Sequence, residues 1–276
     1  MSTVELRRLA LSAVAIASLM ASHAHAATTI NVAVAANFTA TMTALIAAFK
    51  VVYPGTNITF TSDSSGVLQN QIINHTRVYD LFLSADQTRP QDLYTNNPSL
   101  VVGAPFRYAI GELELWSPTV NISAGLPKPL NKDVVLANPA TAPYGTAAAQ
   151  VLSASPWNIP WPSTPYPPAG TAHVFTKGNI SLTYTAVKNK TYPMGFIAQS
   201  SICRVVNGVK RFNSGFHHTY PYNVAPRHDR INQYAIKIKN TSRTAAQNTV
   251  LTNFVNFMRT APVGRSIITS YCYSLS

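Results

Sequence analysis

Three short stretches place neutral hydrogen-bond donors at the same kind of junction. In "VAVAANFTA" an apolar run meets Asn37; in "ITFTSDSSGVL" one meets Ser64 and Ser65; in "VVLANPATAPYGTAA" one meets Tyr144. Each stretch reads as strand, polar turn, helix. The start of a helix leaves backbone N–H groups without carbonyl partners and carries partial positive charge. In an open α/β sheet such turns gather at the carboxyl ends of the strands, where ligands bind. Asn37, Ser65 and Tyr144 would each add a neutral donor there. The chemistry this suits is capture of an anion by dipoles and hydroxyls. About seven hydrogen bonds to a charged ligand, at about 1.5–3 kcal/mol each, exceed the ~8 kcal/mol of a micromolar complex. No Lys or Arg is needed, which favours a compact, fully deprotonated oxyanion. The plainer alternative is that Ser64 and Ser65 only cap a helix. A single turn favours that reading, and three turns in one chain favour a site.

Other chemistries find less support. His217 and His218 are adjacent in a basic stretch, with His173 and His228 elsewhere. Metal sites need spaced ligands and usually a second pair, so these histidines read as solvated and no metal is expected. Acyl transfer would call for a Gly-x-Ser-x-Gly elbow or a nucleophile beside a base, and neither is present. Asp80 and Asp86 flank "LFLSA" and read as strand ends. No enzyme activity and no cofactor are expected.

The elements that must position these donors alternate. Residues 30–35 read as a buried strand, and Phe38, Met42, Leu45 and Phe49 then recur at helical spacing. "NITFTS" and "YDLFLSAD" read as further strands, with a helix opening at "SGVLQNQI". "YAIGELELWSP" begins a second region, in which "DVVLANP" is a strand stopped by Pro139. "ISLTYTAV" reads as a helix and "MGFIAQS" as a strand. Residues 154–170 are rich in Pro and Trp and read as a surface loop. Residues 205–230 read as turn-rich and basic. "QYAIKIKN" is a strand and "VLTNFVNFM" an amphipathic helix. Strands alternating with helices predict an α/β fold with mostly parallel sheets.

The chain ends and the bulk properties bound the setting. Arg7 and Arg8 precede an apolar run over 9–20 and then Ala24-His25-Ala26. That is a secretory signal, with cleavage expected after Ala26. The net charge of +12 falls to +11 when the signal takes away two arginines and Glu5. There is no dense Lys/Arg run and no basic-aromatic signature of nucleic-acid binding. Cys203 and Cys272 could pair in an oxidising compartment or stay separate thiols. Several Asn-x-Ser/Thr triplets, such as Asn57 and Asn74, fit an Asn/Thr-rich composition better than glycosylation.

"VAVAANF", "SDSSGVLQNQI", "YDLFLSAD", "LANPATAPYG", "YPMGFIAQS" and "GRSIITSYCYSL" occur in the order seen in periplasmic molybdate-binding proteins of ABC transporters, and the sequence resembles that family over nearly all of residues 27–276. The resemblance implies a type II periplasmic binding protein: two lobes, each a mostly parallel sheet flanked by helices, with the ligand cleft between them. The lobes would be residues 27–109 plus 234–276, and residues 110–233, with a hinge near 108–111 and 232–235. It implies a monomer that binds molybdate, with tungstate alongside, and hands it to a membrane permease. Site residues carried over are Asn37 with Ala36 beside it, Ser65 with Ser64, Tyr144, and Ile180 through its backbone N–H. Cys272 stands where relatives often have Gly. Sulfate or another oxyanion is the alternative ligand. A surface protein binding a macromolecule through its basic loops is the alternative class.

Overall fold

The computed structural model describes residues 27–275, so the expected signal segment, residues 1–26, lies outside the described residues. Strands β1 (Thr28–Ala35), β2 (Thr56–Asp63), β3 (Leu81–Ser84) and β4 (Val101–Gly111) are separated by helices α1 (Thr39–Val52), α2 (Ser65–Ile73) and α3 (Thr88–Asn96). There follow β5 (Leu113–Ser117), β6 (Val134–Ala137), α4 (Pro143–Ser153), β7 (Val174–Lys177), α5 (Ile180–Lys188) and β8 (Met194–Ala198). A hairpin of β9 (Cys203–Val206) and β10 (Val209–Phe212) leads to β11 (Phe216–Tyr220) and β12 (Ile231–Ile238). Helices α6 (Ala245–Arg259) and α7 (Pro262–Ser270) close the chain.

Two five-stranded sheets result, β2-β1-β3-β12-β4 and β11-β5-β8-β6-β7. In each sheet four strands run one way and one runs against them. The reversed strand is β12 in the first sheet and β5 in the second. Both are the strands entered straight after the chain has passed between sheets. It leaves β4 through Glu112 into β5, and returns through 221–230 into β12. Gly111 and Ile231 still pair with each other in the first sheet, so its strands extend two residues past 109 and begin three before 234.

The apolar run of β1 is buried on both faces, as a central parallel strand should be. Ile30, Val32 and Val34 pack with Leu45 and Phe49 of α1 and Phe254 of α6. Ala33 packs on the other face with Phe82, Leu68 of α2 and Leu93 of α3. The second sheet has its own core, built on Leu136, Ala148, Leu152 and Phe196; Ala35, Ala36 and Ala85 of the first sheet's turns join it. The two lobes therefore share apolar contact at the cleft floor. Helix α6 starts on a full capping box between Thr244 and Gln247.

Three expectations need correction. Residues 205–230 are less irregular than their turn residues suggest, since they carry part of the β9–β10 hairpin and all of β11. His217, expected to be solvated, pairs through Nδ1 with Glu114 Oε1 at 2.8 Å, and that carboxylate is fully buried. Asp80 is likewise more than a strand end. It is buried, accepts from Asn31 N and Asn240 Nδ2, and pairs with Arg243 at 3.0 Å. The Pro/Trp-rich stretch 154–170 holds no helix or strand, and Trp157 and Trp161 pack against the second core.

Cys203 and Cys272 form a disulfide, joining β9 of the second lobe to the tail after α7 in the first. Cys272 sits at φ +63°, the left-handed region that suits Gly. A non-Gly residue there costs about 1–2 kcal/mol. Closing a loop of 69 residues offsets this by about 4 kcal/mol on the chain-entropy account.

Candidate functional site

The three strand–turn–helix junctions meet at one place. Ala36, Asn37, Ser64, Ser65, Tyr144 and Ile180 line one small, tight cavity between the lobes. Ala36 and Asn37 lie in a short 3-10 turn after β1; Ser64 and Ser65 start α2; Tyr144 and Ile180 lie in the first turns of α4 and α5. Helix geometry leaves the N–H groups of such first turns without carbonyls one turn earlier. No Lys or Arg lines the cavity. A larger, more open cavity lies beside it and shares Ala85 and Pro143. Its polar groups already have partners: Arg89 pairs with Asp86, Asp229 accepts from Gln150 and Asp92 from Gln69. The small cavity is the better candidate because its polar groups are not all used.

The serines decide between capping and binding. Ser64 occupies the N-cap position of α2, yet its hydroxyl makes no capping bond. Its backbone N–H donates to Asp63 Oδ1 at 2.7 Å, and its Oγ is buried without any partner. A buried hydroxyl left unpaired costs about 1–3 kcal/mol, which an arriving acceptor would recover. Ser65 Oγ accepts the N–H of Ala85 at 3.0 Å, so its own hydrogen remains available to donate.

Asn37 behaves differently from the expectation that it adds a side-chain donor, whereas Tyr144, like Ser65, keeps a hydroxyl hydrogen to donate. Asn37 Nδ2 donates to Gln233 Oε1 and to Tyr273 OH, both at 2.9 Å. Both hydrogens of the amide are thus spent inside the protein. The Tyr144 hydroxyl accepts from Gln233 Nε2 at 3.3 Å. Burial pushes the Tyr144 and Tyr108 phenols well above their ordinary value of 10.0, and Tyr273 up to about 12. All three remain neutral at physiological pH.

Several contacts that cross the cleft were not visible in sequence. Ser181 Oγ donates to Ala36 O at 2.8 Å, Asn179 Nδ2 to Asp63 Oδ1 at 3.0 Å, and Gly66 N to Thr141 O at 2.9 Å. Ser200 Oγ donates to Asn37 O at 3.3 Å. Asn179 also caps α5 by accepting from Leu182 N, and that capping role is the one signal its sequence context offered. Among the described residues no group of His, Cys, Asp and Glu could hold a metal ion, and no helix is long and apolar enough to cross a membrane.

A small cavity between two similarly built lobes, lined by helix first turns, is the layout of a protein that captures a small solute. The family model for bacterial extracellular solute-binding proteins matches residues 30–274. The chain belongs to that family. Within it, the chain is 40% identical over 141 residues to the molybdate-binding protein ModA of Azotobacter vinelandii, covering 50% of this chain and 54% of that one. It is 32% identical over 173 residues to ModA of Rhodobacter capsulatus, covering 62% and 64%. The matched segments thus span between about half and two thirds of those relatives. The solved structure of the Azotobacter vinelandii periplasmic molybdate-binding protein superimposes with a TM-score of 0.75 at 26% identity, covering 90% of this chain and 99% of that one. The sulfate-binding protein SubI of Mycobacterium tuberculosis shares the fold at 12% identity and a TM-score of 0.63, covering 90% and 87%.

Proposed function

We propose that this solute-binding protein captures molybdate, and tungstate with it, outside the cytoplasm and delivers it to an ABC permease. The observation that carries the reading is the partnerless Ser64 hydroxyl, buried in a cavity lined by helix first turns and free of cationic side chains. Such a site suits an oxyanion with no proton of its own to donate. The relatives named for molybdate, and the match to a molybdate-binding protein over nearly its whole length, favour molybdate over sulfate. The protein works as a monomer without a cofactor or catalysis, and needs no nucleic acid. Ser65 has a backbone N–H as its partner rather than a base. Cleavage after Ala26 would release it into the periplasm.

Thermal unfolding with molybdate, tungstate, sulfate and phosphate tests the reading. A ligand that binds only the folded state adds about 2.7 kcal/mol at one hundred times its Kd. Molybdate and tungstate should raise Tm at micromolar concentration and sulfate only at far higher concentration. A larger response to sulfate would reassign the ligand. No response to any oxyanion at millimolar concentration would overturn transport and favour a macromolecular partner.

A further inference from the structure

Gln233 is fully buried at the start of β12, on the strand by which the chain re-enters the first sheet. Its one amide touches both halves of the site. Oε1 accepts from Asn37 Nδ2 at 2.9 Å and from Tyr108 OH at 3.0 Å; Nε2 donates to Tyr144 OH at 3.3 Å. Asn37 belongs to the first-lobe turn and Tyr144 to the first turn of α4 in the second lobe. The backbone makes room for this: a Cβ on Gly111 would lie 1.9 Å from Tyr144 OH and 2.7 Å from Gln233 Nε2. Gln233 does not line the cavity itself.

We propose that Gln233 is a positioning residue of the anion site, anchoring the Asn37 turn of one lobe and the Tyr144 turn of the other through a single amide on the crossing strand. The inference rests on the anion-binding reading of the cavity. An amide suits the place because it accepts and donates at once. A carboxylate could only accept, and would place a charge beneath the anion. An apolar side chain would leave the Asn37 amide without one of its two acceptors, and the turn that presents backbone N–H groups to the ligand would lose its anchor. Tyr273 OH, the other acceptor, also lies 2.8 Å from Asn37 O and 2.9 Å from Ser200 Oγ, so the anchoring network continues across the cleft.

The test is a double-mutant cycle read by molybdate titration of the full chain. Gln233→Met should weaken binding at least tenfold. Adding Asn37→Ala to it should cost less than a further threefold, because both substitutions release the same turn. Adding Ser65→Ala should cost its full single-variant amount. Wild-type affinity in Gln233→Met, or independent losses for Gln233 and Asn37, would overturn the proposal. A second readout needs no ligand. The side-chain amide protons of Asn37 should exchange slowly in the wild type and quickly in Gln233→Met; slow exchange in both overturns the proposal even if molybdate is the wrong anion. Should Gln233→Met fail to fold, Tyr108→Phe removes the hydroxyl that steadies Oε1. It should show a smaller loss with the same dependence on Asn37, and independent losses there would equally overturn the proposal.

Discussion

At the scale of single residues, the site is built from groups that stay neutral. Tyr108, Tyr144 and Tyr273 are buried around Gln233, and burial raises all three phenols. A raised folded-state pKa means that the folded form holds its proton more tightly than the unfolded chain, whose phenols titrate near 10. Their contribution to stability is therefore fully present below about pH 10 and is lost as pH rises toward the folded value, about 12 for Tyr273. We expect Tm to be insensitive to these groups between about pH 7 and 9 and to fall above about 10. The tyrosinate absorbance of the three should emerge together with unfolding. Full titration of every tyrosine near pH 10 in a chain still folded by circular dichroism would contradict this. The serine cluster was legible in sequence because it lies within one strand–turn–helix unit. The fate of the Asn37 amide was not, since its partners Gln233 and Tyr273 lie 196 and 236 residues away. Nothing local marks a residue whose donors are taken by the far end of the chain.

At the scale of elements, the helix-first-turn units were readable because period and turn chemistry agree in them. Helix α3 gave no such signal: only Pro90 and Leu93 of its nine residues are buried, so it lacks an apolar stripe. The β9–β10 hairpin and β11 were hidden by Asn, Gly and Pro around short, partly exposed strands. Helix α2 carries the clearest element-level prediction. A Cβ on Gly66 would lie 3.0 Å from Thr141 Cα and 3.2 Å from Thr141 Cβ, across the cleft. Gly66 N also donates to Thr141 O. Gly66→Ala should therefore hold the lobes apart by a few tenths of an ångström and weaken molybdate binding by about 1–3 kcal/mol, the cost of a disturbed bond to a charged ligand. Ala is a better helix former than Gly by about 0.8–1 kcal/mol, so the ligand-free Tm should hold or rise. Calorimetric titration beside a melting curve separates the two. Unchanged affinity would mean that the lobes need not approach so closely here.

At the scale of the whole molecule, the two-sheet plan followed from alternating strands and helices, while its reversed strands did not. β5 and β12, the strands that run against their sheets, are those entered after the chain passes between lobes, and direction across a gap is invisible to local pattern. The disulfide from Cys203 to Cys272 adds a third covalent tie between lobes. It turns everything from β9 to the tail after α7 into a closed ring. The segment between β11 and β12 lies within that ring, and Tyr222, Val224 and Arg227 on it are exposed. A single proteolytic nick after Arg227 would cut the only backbone route back into β12, which carries Gln233. In an open chain the piece holding β12, α6 and α7 would then depend on packing alone. In the ring it cannot leave. Limited trypsin digestion should give two bands on a reducing gel and one on a non-reducing gel, with the nicked protein still responding to molybdate in a melting assay. Two bands without reductant would show that the ring is not closed. The bridge thus makes the binding protein tolerant of damage at its most exposed inter-lobe connection, a useful property where proteases are at work and a broken chain cannot be replaced on the spot.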